Sequence, residues 1–190
     1  MSREFAKRRG KGASPAASTS WLRLYGVRLA FGWVPAFVGG RLRATALRAA
    51  GVRVGKKTAF WHLPTLLGSG RVHQRLTIGS GCGFNKGAVF DLSAPITIGN
   101  RVDCGHDVMF LTSSARGVEP LLPGERPEPK PVVVGDGVWL GARTTILPGV
   151  TIGAGSVIGT GIVVAKDVPE NTLLTGLAPI SLARWRPATQ

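Results

Sequence analysis

Histidine and cysteine, which often serve as a base, a nucleophile or a metal ligand, are few in this protein. Its three histidines are His62, His73 and His106, and its two cysteines are Cys82 and Cys104. An imidazole titrates near neutral pH and can serve as a general base. The two cysteines have no spacing typical of a zinc site. We therefore expect no metal site, and we interpret both cysteines as small buried apolar residues.

The common motifs of phosphate and metal chemistry are also missing from the sequence. It contains no G-x-x-x-x-G-K-[ST], no H-E-x-x-H and no C-x-x-C. The glycine-rich stretch 79–83 is interpreted as a corner between strands rather than a dinucleotide-binding loop. Asp103 and Asp107 are interpreted as exterior charges.

Apolar residues recur at every sixth position, and this period predicts the fold. Six residues advance an α-helix by about 600°, so these positions would not share a helical face. A flat strand would bury every second residue alike. Short strands joined by tight corners fit, three to a coil of about 18 residues, which predicts an all-β fold, a triangular parallel β-helix. The apolar positions are Val54, Phe60, Leu66, Val72, Ile78, Phe84, Phe90 and Ile96, then Ile98, Cys104 and Phe110 after a slip of two, then Val134, Leu140, Ile146, Ile152, Ile158 and Val164.

The period divides the chain into four parts. Residues 1–20 form a basic tail that we expect to be disordered, and residues 21–51 form a helical, amphipathic segment. The β-helix covers residues 52–168, with an excursion at 111–133 that contains five prolines and after which the repeat resumes in phase. Residues 169–190 form a C-terminal arm.

The positive charge is concentrated near the N-terminus. Residues 1–57 hold 13 basic and 1 acidic residue, whereas residues 58–190 hold 11 basic and 9 acidic residues. A basic arm on a nearly neutral body favours an anionic membrane surface, contacted through residues 1–50, over nucleic acid. Residues 21–50 either pack on the body as helices or lie at a lipid interface. Without a long apolar span or a secretory signal, the expected compartment is the cytoplasm, with peripheral attachment at the inner membrane face as one option.

The later coils carry blocks that are specific in combination, namely GDGVWLGA, ILPGVTIGAGSVIG and VVAKDVPENT within residues 131–184. Through them, residues 52–186 closely resemble the hexapeptide-repeat acyltransferases, and most of all the galactoside, maltose and nodulation O-acetyltransferase branch. The resemblance implies a left-handed β-helix with an N-terminal helical basic segment, a homotrimer, and acetyl-CoA as co-substrate between neighbouring β-helices, with no metal.

The resemblance also assigns roles to individual residues. Asn85, in GFNKGAVFD, would hold the acceptor hydroxyl, although an asparagine also suits a turn. Lys166 would pair with a CoA phosphate, or else be a solvated corner residue. Trp139 would form a wall of the site between subunits, or else pack on the exterior. The residues that the resemblance assigns to acetyl-CoA are Trp139, Gly141, Ala142, Thr160, Ala165, Lys166 and Arg184.

One residue departs from the family pattern at the position of its catalytic base. After residues 111–114, LTSS, the family has a histidine that takes the proton of the acceptor hydroxyl, but this chain has Ala115. Ala115 is an engineered change, or marks a natural non-catalytic relative, or leaves the proton to another base. Arg116 and Gly117 also depart from the family's usual pair, which argues against a single engineered change. His106 is a weak candidate for that base, Glu119 a weaker one.

The function that the sequence favours is acyl transfer. We expect an acyl-CoA-dependent O-acyltransferase acting on a sugar or glycolipid hydroxyl, with activity reduced or absent because of Ala115. The alternative is a non-catalytic trimeric hexapeptide-repeat scaffold or acyl-CoA-binding protein. A third interpretation is a polyanion-binding protein that uses the basic arm.

Overall fold

Two helices precede the β-helix in the chain. The computed structural model describes residues 15–35, 38–113, 128–176 and 180–181. Helix α1 spans Pro15–Phe31 and helix α2 spans Gly40–Ala49. Helix α1 thus begins inside the segment 1–20 that composition predicted to be disordered, and its first residue is a proline, which tolerates the first helical turn because no backbone N–H is needed there. Residues 1–14 lie outside the described residues.

The body of the protein is a solenoid of short parallel strands. Three strands form each coil, and five coils are followed by a shorter final turn. The strands are β1 Arg53–Val54, β2 Ala59–Phe60, β3 Thr65–Leu67, β4 Leu76–Ile78, β5 Gly83–Phe84, β6 Val89–Asp91, β7 Ile96–Ile98, β8 Asp103–Cys104, β9 Met109–Phe110, β10 Val132–Val134, β11 Trp139–Leu140, β12 Thr145–Ile146, β13 Thr151–Ile152, β14 Val157–Ile158, β15 Val163–Val164, β16 Thr172–Leu174 and β17 Ile180–Ser181.

Equivalent strands of successive coils pair into three sheets. Sheet A has the order β1-β4-β7-β10-β13, sheet B the order β17-β16-β14-β11-β8-β5-β2, and sheet C the order β15-β12-β9-β6-β3. All pairings are parallel except the antiparallel contact of β17 with β16. The predicted fold class, a parallel β-helix with an N-terminal helical segment, is confirmed, and the arrangement is consistent with the left-handed form.

The coils are unequal in length, whereas the sequence predicted coils of about 18 residues, interrupted by a slip of two before Ile98 and by the excursion. In sheet A, Val54 pairs with Ile78 and Ile78 pairs with Ile98, so the first coil is longer than the second. The pairing of Val134 with Ile152 is the one in this sheet that matches three steps of six. The first coil is longer because a 3₁₀ turn, Val72–Gln74, is inserted between β3 and β4. Val72 is buried as predicted, but it belongs to this insertion rather than to a strand.

The interior changes in chemistry along the axis. Four phenylalanines fill the first three coils, and two stacked pairs have ring centroids 4.8 Å apart, Phe60 with Phe84 and Phe90 with Phe110. The fourth and fifth coils are filled instead by aliphatic residues such as Leu140 and Ile152. Cys82 and Cys104 are buried free thiols, as predicted. Burial raises the pKa of both thiols.

Helix α2 closes the N-terminal end of the solenoid around a buried arginine. The side chain of Arg43 has no exposed surface, and its hydrogen bonds within the described part of the chain all go to carbonyl oxygens. Its guanidinium donates to Val34 (2.8 Å), Pro35 (2.8 Å) and Val38 (2.6 Å), which lie between the two helices. It also reaches the end of β2, at the carbonyl oxygen of Trp61 (3.2 Å). Arg43 therefore joins the helical segment to the first coil.

The predicted excursion is closed at its base by one backbone hydrogen bond. The N–H of Lys130 donates to the carbonyl oxygen of Thr112 at 2.8 Å, so the chain leaves and returns at one place. Val132 and Val133 belong to β10 and not to the excursion, so the predicted bound of 133 was wrong. Residues 114–127, including Ala115 and Glu119, lie outside the described residues. Among the described helices, none is long and apolar enough to cross a membrane.

Candidate functional site

The residues of highest interest line the corner at which the chain turns from sheet B to sheet C, here called the B–C corner. Backbone hydrogen bonds between coils fix the register there: Asp107 N–H donates to Lys86, Arg143 N–H to His106, and Gly161 N–H to Ala142. One column at this corner therefore contains Lys86, His106, Ala142 and Thr160 in successive coils. Asn85 precedes Lys86 and lies at the same corner.

Asn85 occupies a position that glycine fills in the next three coils, Gly105, Gly141 and Gly159. Its backbone N–H donates to the Cys104 carbonyl oxygen at 3.2 Å, and its side-chain Nδ2 donates to the same oxygen at 3.3 Å. Among the described residues, no group donates a hydrogen bond to Oδ1 of Asn85. The amide oxygen can therefore accept a hydrogen bond from a hydroxyl, which is the role that the resemblance predicted.

Gly141 has a steric reason to be glycine. A Cβ placed there would lie 2.6 Å from the backbone nitrogen of Thr160 and 2.7 Å from the carbonyl carbon of Gly159. The close approach of the two coils also keeps the Gly141 N–H on the Ile158 carbonyl oxygen at 2.8 Å. Backbone packing alone thus explains Gly141, and its predicted contact with the acyl donor stays a prediction.

Trp139 presents a large apolar surface next to this corner. It lies on β11 with 54% of its surface exposed, and it pairs in register with Asp103 on one side and Val157 on the other. An indole that is this exposed is available to pack against a ligand or another protein chain. This position suits the wall of a site between subunits, which stays a prediction.

The residues predicted to contact acetyl-CoA fall on two corners of the solenoid. Gly141, Ala142 and Thr160 lie at the B–C corner. Ala165 and Lys166 follow β15 at the next corner, between sheets C and A, and both are exposed. One strand of sheet C separates the two groups. Arg184 lies outside the described residues.

Two of the three histidines lie at the B–C corner, on either side of Asn85. The pairing of Phe60 with Phe84 aligns His62 with Lys86, so His62 precedes Asn85 by one coil and His106 follows it by one coil. Successive coils are about 4.8 Å apart. The sequence assigned His62 less weight because it belongs to an earlier coil, but the register gives it a position equivalent to that of His106. Both side chains are exposed.

His73 lies elsewhere, at the capped end of the solenoid. Its ring is close to Gly51, after α2, where a Cβ would lie 3.0 Å from Cδ2 of His73. Burial, together with the charges of Arg71 and Arg23, lowers the pKa of His73. The structure therefore does not bring His73 to the B–C corner.

Sequence reasoning missed one residue that holds the base of the excursion, Asp91 at the end of β6. Its buried carboxylate accepts hydrogen bonds from Ser113 Oγ (2.6 Å), Ser113 N–H (2.8 Å) and Ser93 Oγ (2.7 Å). Its backbone carbonyl oxygen accepts one from Thr112 Oγ1 (2.6 Å). Burial alone would raise the pKa of Asp91, but these hydrogen bonds outweigh it and lower the pKa. Asp91 thus fixes residues 112–113, and Ser113 precedes Ala115 by two residues in the chain.

The repeat itself is shared with known proteins. Residues 131–166 match the family model "Bacterial transferase hexapeptide (six repeats)". Over 91 residues the chain is 46% identical to a Schizosaccharomyces pombe protein named as a candidate acetyltransferase, and the match covers 44% of this chain and 40% of that relative. The chain thus spans less than half the length of the curated relatives that it matches.

Solved structures extend the similarity to most of the chain. A hexapeptide-repeat acetyltransferase of Vibrio cholerae, solved with acetyl coenzyme A, superposes with a TM-score of 0.71 at 28% identity, over 90% of each chain. A maltose O-acetyltransferase of Clostridium difficile gives a TM-score of 0.65 at 26% identity, over 86% of this chain and 84% of that one. In sequence and in fold, the chain is thus similar to the hexapeptide-repeat acetyltransferases.

Proposed function

We propose that the chain transfers an acetyl group from acetyl-CoA to a hydroxyl group of a sugar or glycolipid. The observation that carries the proposal is the B–C corner, where the accepting Oδ1 of Asn85 lies one coil from two exposed histidines. Similarity to a structure that contains acetyl coenzyme A, over 90% of both chains, supports the choice of acyl donor. As an extension of the proposal, three copies of the chain form a homotrimer in the cytoplasm, with Trp139 at the contact between them.

The proposed reaction is a direct transfer. The acceptor oxygen attacks the thioester carbonyl carbon, the new C–O bond forms, the C–S bond breaks, and the thiolate of CoA leaves. The proton of the acceptor hydroxyl goes to a base and then to the thiolate, so that free CoA is released. Asn85 orients the hydroxyl through Oδ1. Lys166 pairs with a phosphate of CoA as a point charge.

The base is the open part of this proposal, because Ala115 has no group that accepts a proton. General-base catalysis typically contributes about 10²–10⁴-fold to a rate. We assign the proton to His106 or His62, since both lie one coil from Asn85. The resulting activity should be lower than that of a chain with a histidine at position 115.

A second candidate function is a non-catalytic acyl-CoA-binding scaffold, and Ala115 is the observation that favours it. The two functions differ in one respect that can be measured directly. A binder holds acyl-CoA without releasing CoA in the presence of acceptors, whereas the enzyme releases CoA in proportion to the acceptor that is acylated.

The test is thiol release from acetyl-CoA with a panel of sugar and glycolipid acceptors. Four proteins are compared: the unchanged chain, Ala115→His, His106→Gln and His62→Gln. We expect slow acceptor-dependent release by the unchanged chain, faster release by Ala115→His, and loss with one of the two glutamine variants. Asn85→Ala should lose activity in every background, while Asp107→Asn, on the same corner, is the matched control.

Calorimetric titration with acetyl-CoA on the same samples separates the remaining outcomes. If the unchanged chain binds acetyl-CoA without releasing CoA, and only Ala115→His releases it, the unchanged chain is a non-catalytic scaffold. The proposed function would be overturned if no variant bound acetyl-CoA and no variant released CoA. Equal rates for the unchanged chain and Ala115→His would show that another base fully replaces the missing histidine.

A further inference from the structure

Helix α1 has two apolar faces, and only one of them packs on the protein. Leu24, Val27 and Phe31 are spaced by three and four residues on one face, which contacts α2. Leu24 is buried in the core, Val27 packs against the core, and Phe31 is half-buried. Leu22 and Leu29 lie on the opposite face, about 200° from Leu24 around the helix axis. They are 70% and 61% exposed. A helix that only caps the solenoid would be polar on that face.

The outer face continues beyond the helix and includes aromatic residues. Tyr25 lies between Leu22 and Leu29 on this face, and Trp33, in the turn that follows, is 90% exposed. We name Leu22, Tyr25, Leu29 and Trp33 the outer stripe. Tyrosine and tryptophan are typical of the boundary between water and lipid, because each ring has an apolar body and one polar group.

Two arginines border the outer stripe. By helical geometry Arg23 lies on one flank of α1 and Arg28 on the other, both between the two apolar faces. Both are exposed. An apolar stripe bordered by cations is typical of helices that lie in the plane of an anionic bilayer.

The charge of the whole N-terminal end has the same sign. Residues 5–90 contain 15 basic residues and no aspartate or glutamate, whereas residues 91–190 contain 8 basic and 9 acidic residues. Several arginines of this end donate to backbone carbonyl oxygens: Arg48 to Gly55 (2.7 Å), Arg53 to Gln74 (2.6 Å) and Arg75 to Leu92 (2.9 Å). Carbonyl oxygens leave these positive charges uncancelled, so the capped end of the solenoid attracts anionic surfaces.

We infer that the outer stripe docks on an anionic lipid bilayer, with α1 lying in the plane of the interface and the solenoid extending away from it. Nucleic acid would be attracted by the same charge, but it offers no apolar surface for Leu22 and Leu29. A second copy of the chain would bring two strongly basic ends together. A bilayer with anionic headgroups matches both the apolar stripe and the charge.

The inference is tested by co-sedimentation of the full chain with vesicles. Phosphatidylcholine vesicles that contain phosphatidylglycerol are compared with vesicles of phosphatidylcholine alone. We expect binding to the anionic vesicles that falls as salt is added. The double variant Leu22→Ser/Leu29→Ser should reduce binding by about tenfold or more, because both side chains leave the lipid. Neutralising Arg23 or Arg28 with glutamine should reduce it by about fivefold each.

The control is the double variant Val133→Ser/Val163→Ser, which removes two exposed apolar side chains from the fourth and fifth coils. It should bind vesicles like the unchanged chain. Equal binding by the two double variants would overturn the inference. Sedimentation without vesicles gives a second check. If Leu22→Ser/Leu29→Ser alone changed the oligomeric mass, the inference would also be overturned, because the outer stripe would then join copies of the chain.

Competition with double-stranded DNA covers the remaining partner. Two results together would assign the basic end to nucleic acid. DNA would displace the protein from vesicles, and the leucine double variant would bind both DNA and vesicles as well as the unchanged chain does. Because the assay contains no acyl donor or acceptor, its result is independent of the acyl transfer proposed above.

Discussion

The two ends of the solenoid are built from the same repeat but differ in regularity, interior and charge. From Val134 to Ile152 the chain keeps the strict period of six, and the interior there is aliphatic. The first two coils are longer than this period requires, and they contain stacked phenylalanines. The end that precedes residue 91 is strongly basic, whereas the rest is close to neutral.

The difference indicates separate demands on the two ends. In the later coils a residue has only to stack on the coil before and the coil after, so small residues at the corners and a strict period suffice. The first coil has no coil before it, and its exposed edge must be covered. Helix α2 provides that cover, and Arg43 satisfies the carbonyl groups that the cover would otherwise leave without a donor.

The largest expected effect concerns Arg43. Arg43→Met should destabilise the protein by about 3 kcal/mol, because buried carbonyl oxygens of the helix junction and of β2 lose their donor. Hydrogen exchange should accelerate most in α1, α2 and the first coil. Arg41→Met, an exposed neighbour, should change the free energy of unfolding by less than about 0.5 kcal/mol. If chemical denaturation gave equal effects for Arg43→Met and Arg41→Met, Arg43 would not be the residue that joins the helices to the first coil.

The regular end depends on close stacking, and Gly141→Ala tests this. The added Cβ would lie 2.6 Å from the backbone nitrogen of Thr160, so the fourth and fifth coils must separate, which should destabilise the protein by about 2–3 kcal/mol. Gly137→Ala in the same coil meets no atom within 4 Å but has a φ of 67°, and should cost about 1 kcal/mol. If thermal unfolding ranks the two variants in the opposite order, stacking is not the limiting constraint.

How far the sequence predicts this fold depends on the size of each insertion. A period of six reveals a slip of two positions, as at Ile98, but an insertion of one whole period leaves the phase intact. The period therefore did not predict the 3₁₀ turn in the first coil. Val72 is apolar and buried at the predicted step, yet its backbone is not a strand.

The insertion that the period did not reveal also affected the prediction of the candidate site. The period assigns residues to coils, but the side-by-side register of two coils depends on their lengths. His62 comes into line with Lys86, beside Asn85, only because the first coil is longer than the period predicts. Asp91 was missed for a different reason. A lone carboxylate carries no period, and two of its partners, Thr112 and Ser113, come from the next coil.

Asp91 connects the second coil to residues 112–113 after the third coil, and its titration should change the free energy of unfolding. Because its folded pKa lies below the ordinary 3.8, the carboxylate stabilises the protein above that pH and loses this contribution as pH falls through the folded pKa. Asp91→Asn should therefore cost about 1–2 kcal/mol at neutral pH and progressively less in acid. Urea unfolding across pH measures this, with the exposed Asp103→Asn as control. A difference that grows on acidification would contradict it.

The smallest expected effect tests whether the helical cover and the solenoid form one cooperative unit. Gly26 lies in α1 with no atom within 4 Å of an added Cβ, so Gly26→Ala should stabilise the helix by about 0.5–1 kcal/mol. Since Leu24 and Val27 pack on the core, we expect the gain to appear in global unfolding by denaturant.

Gly32→Ala is the matched control, because its Cβ would lie 2.7 Å from the Arg28 carbonyl oxygen and should give no gain. A gain from Gly26→Ala confined to hydrogen exchange within α1 would mean that the cover unfolds before the coils. The two ends of the molecule would then differ in cooperativity as well as in charge, and lipid contact with α1 would stabilise the helix without stabilising the solenoid.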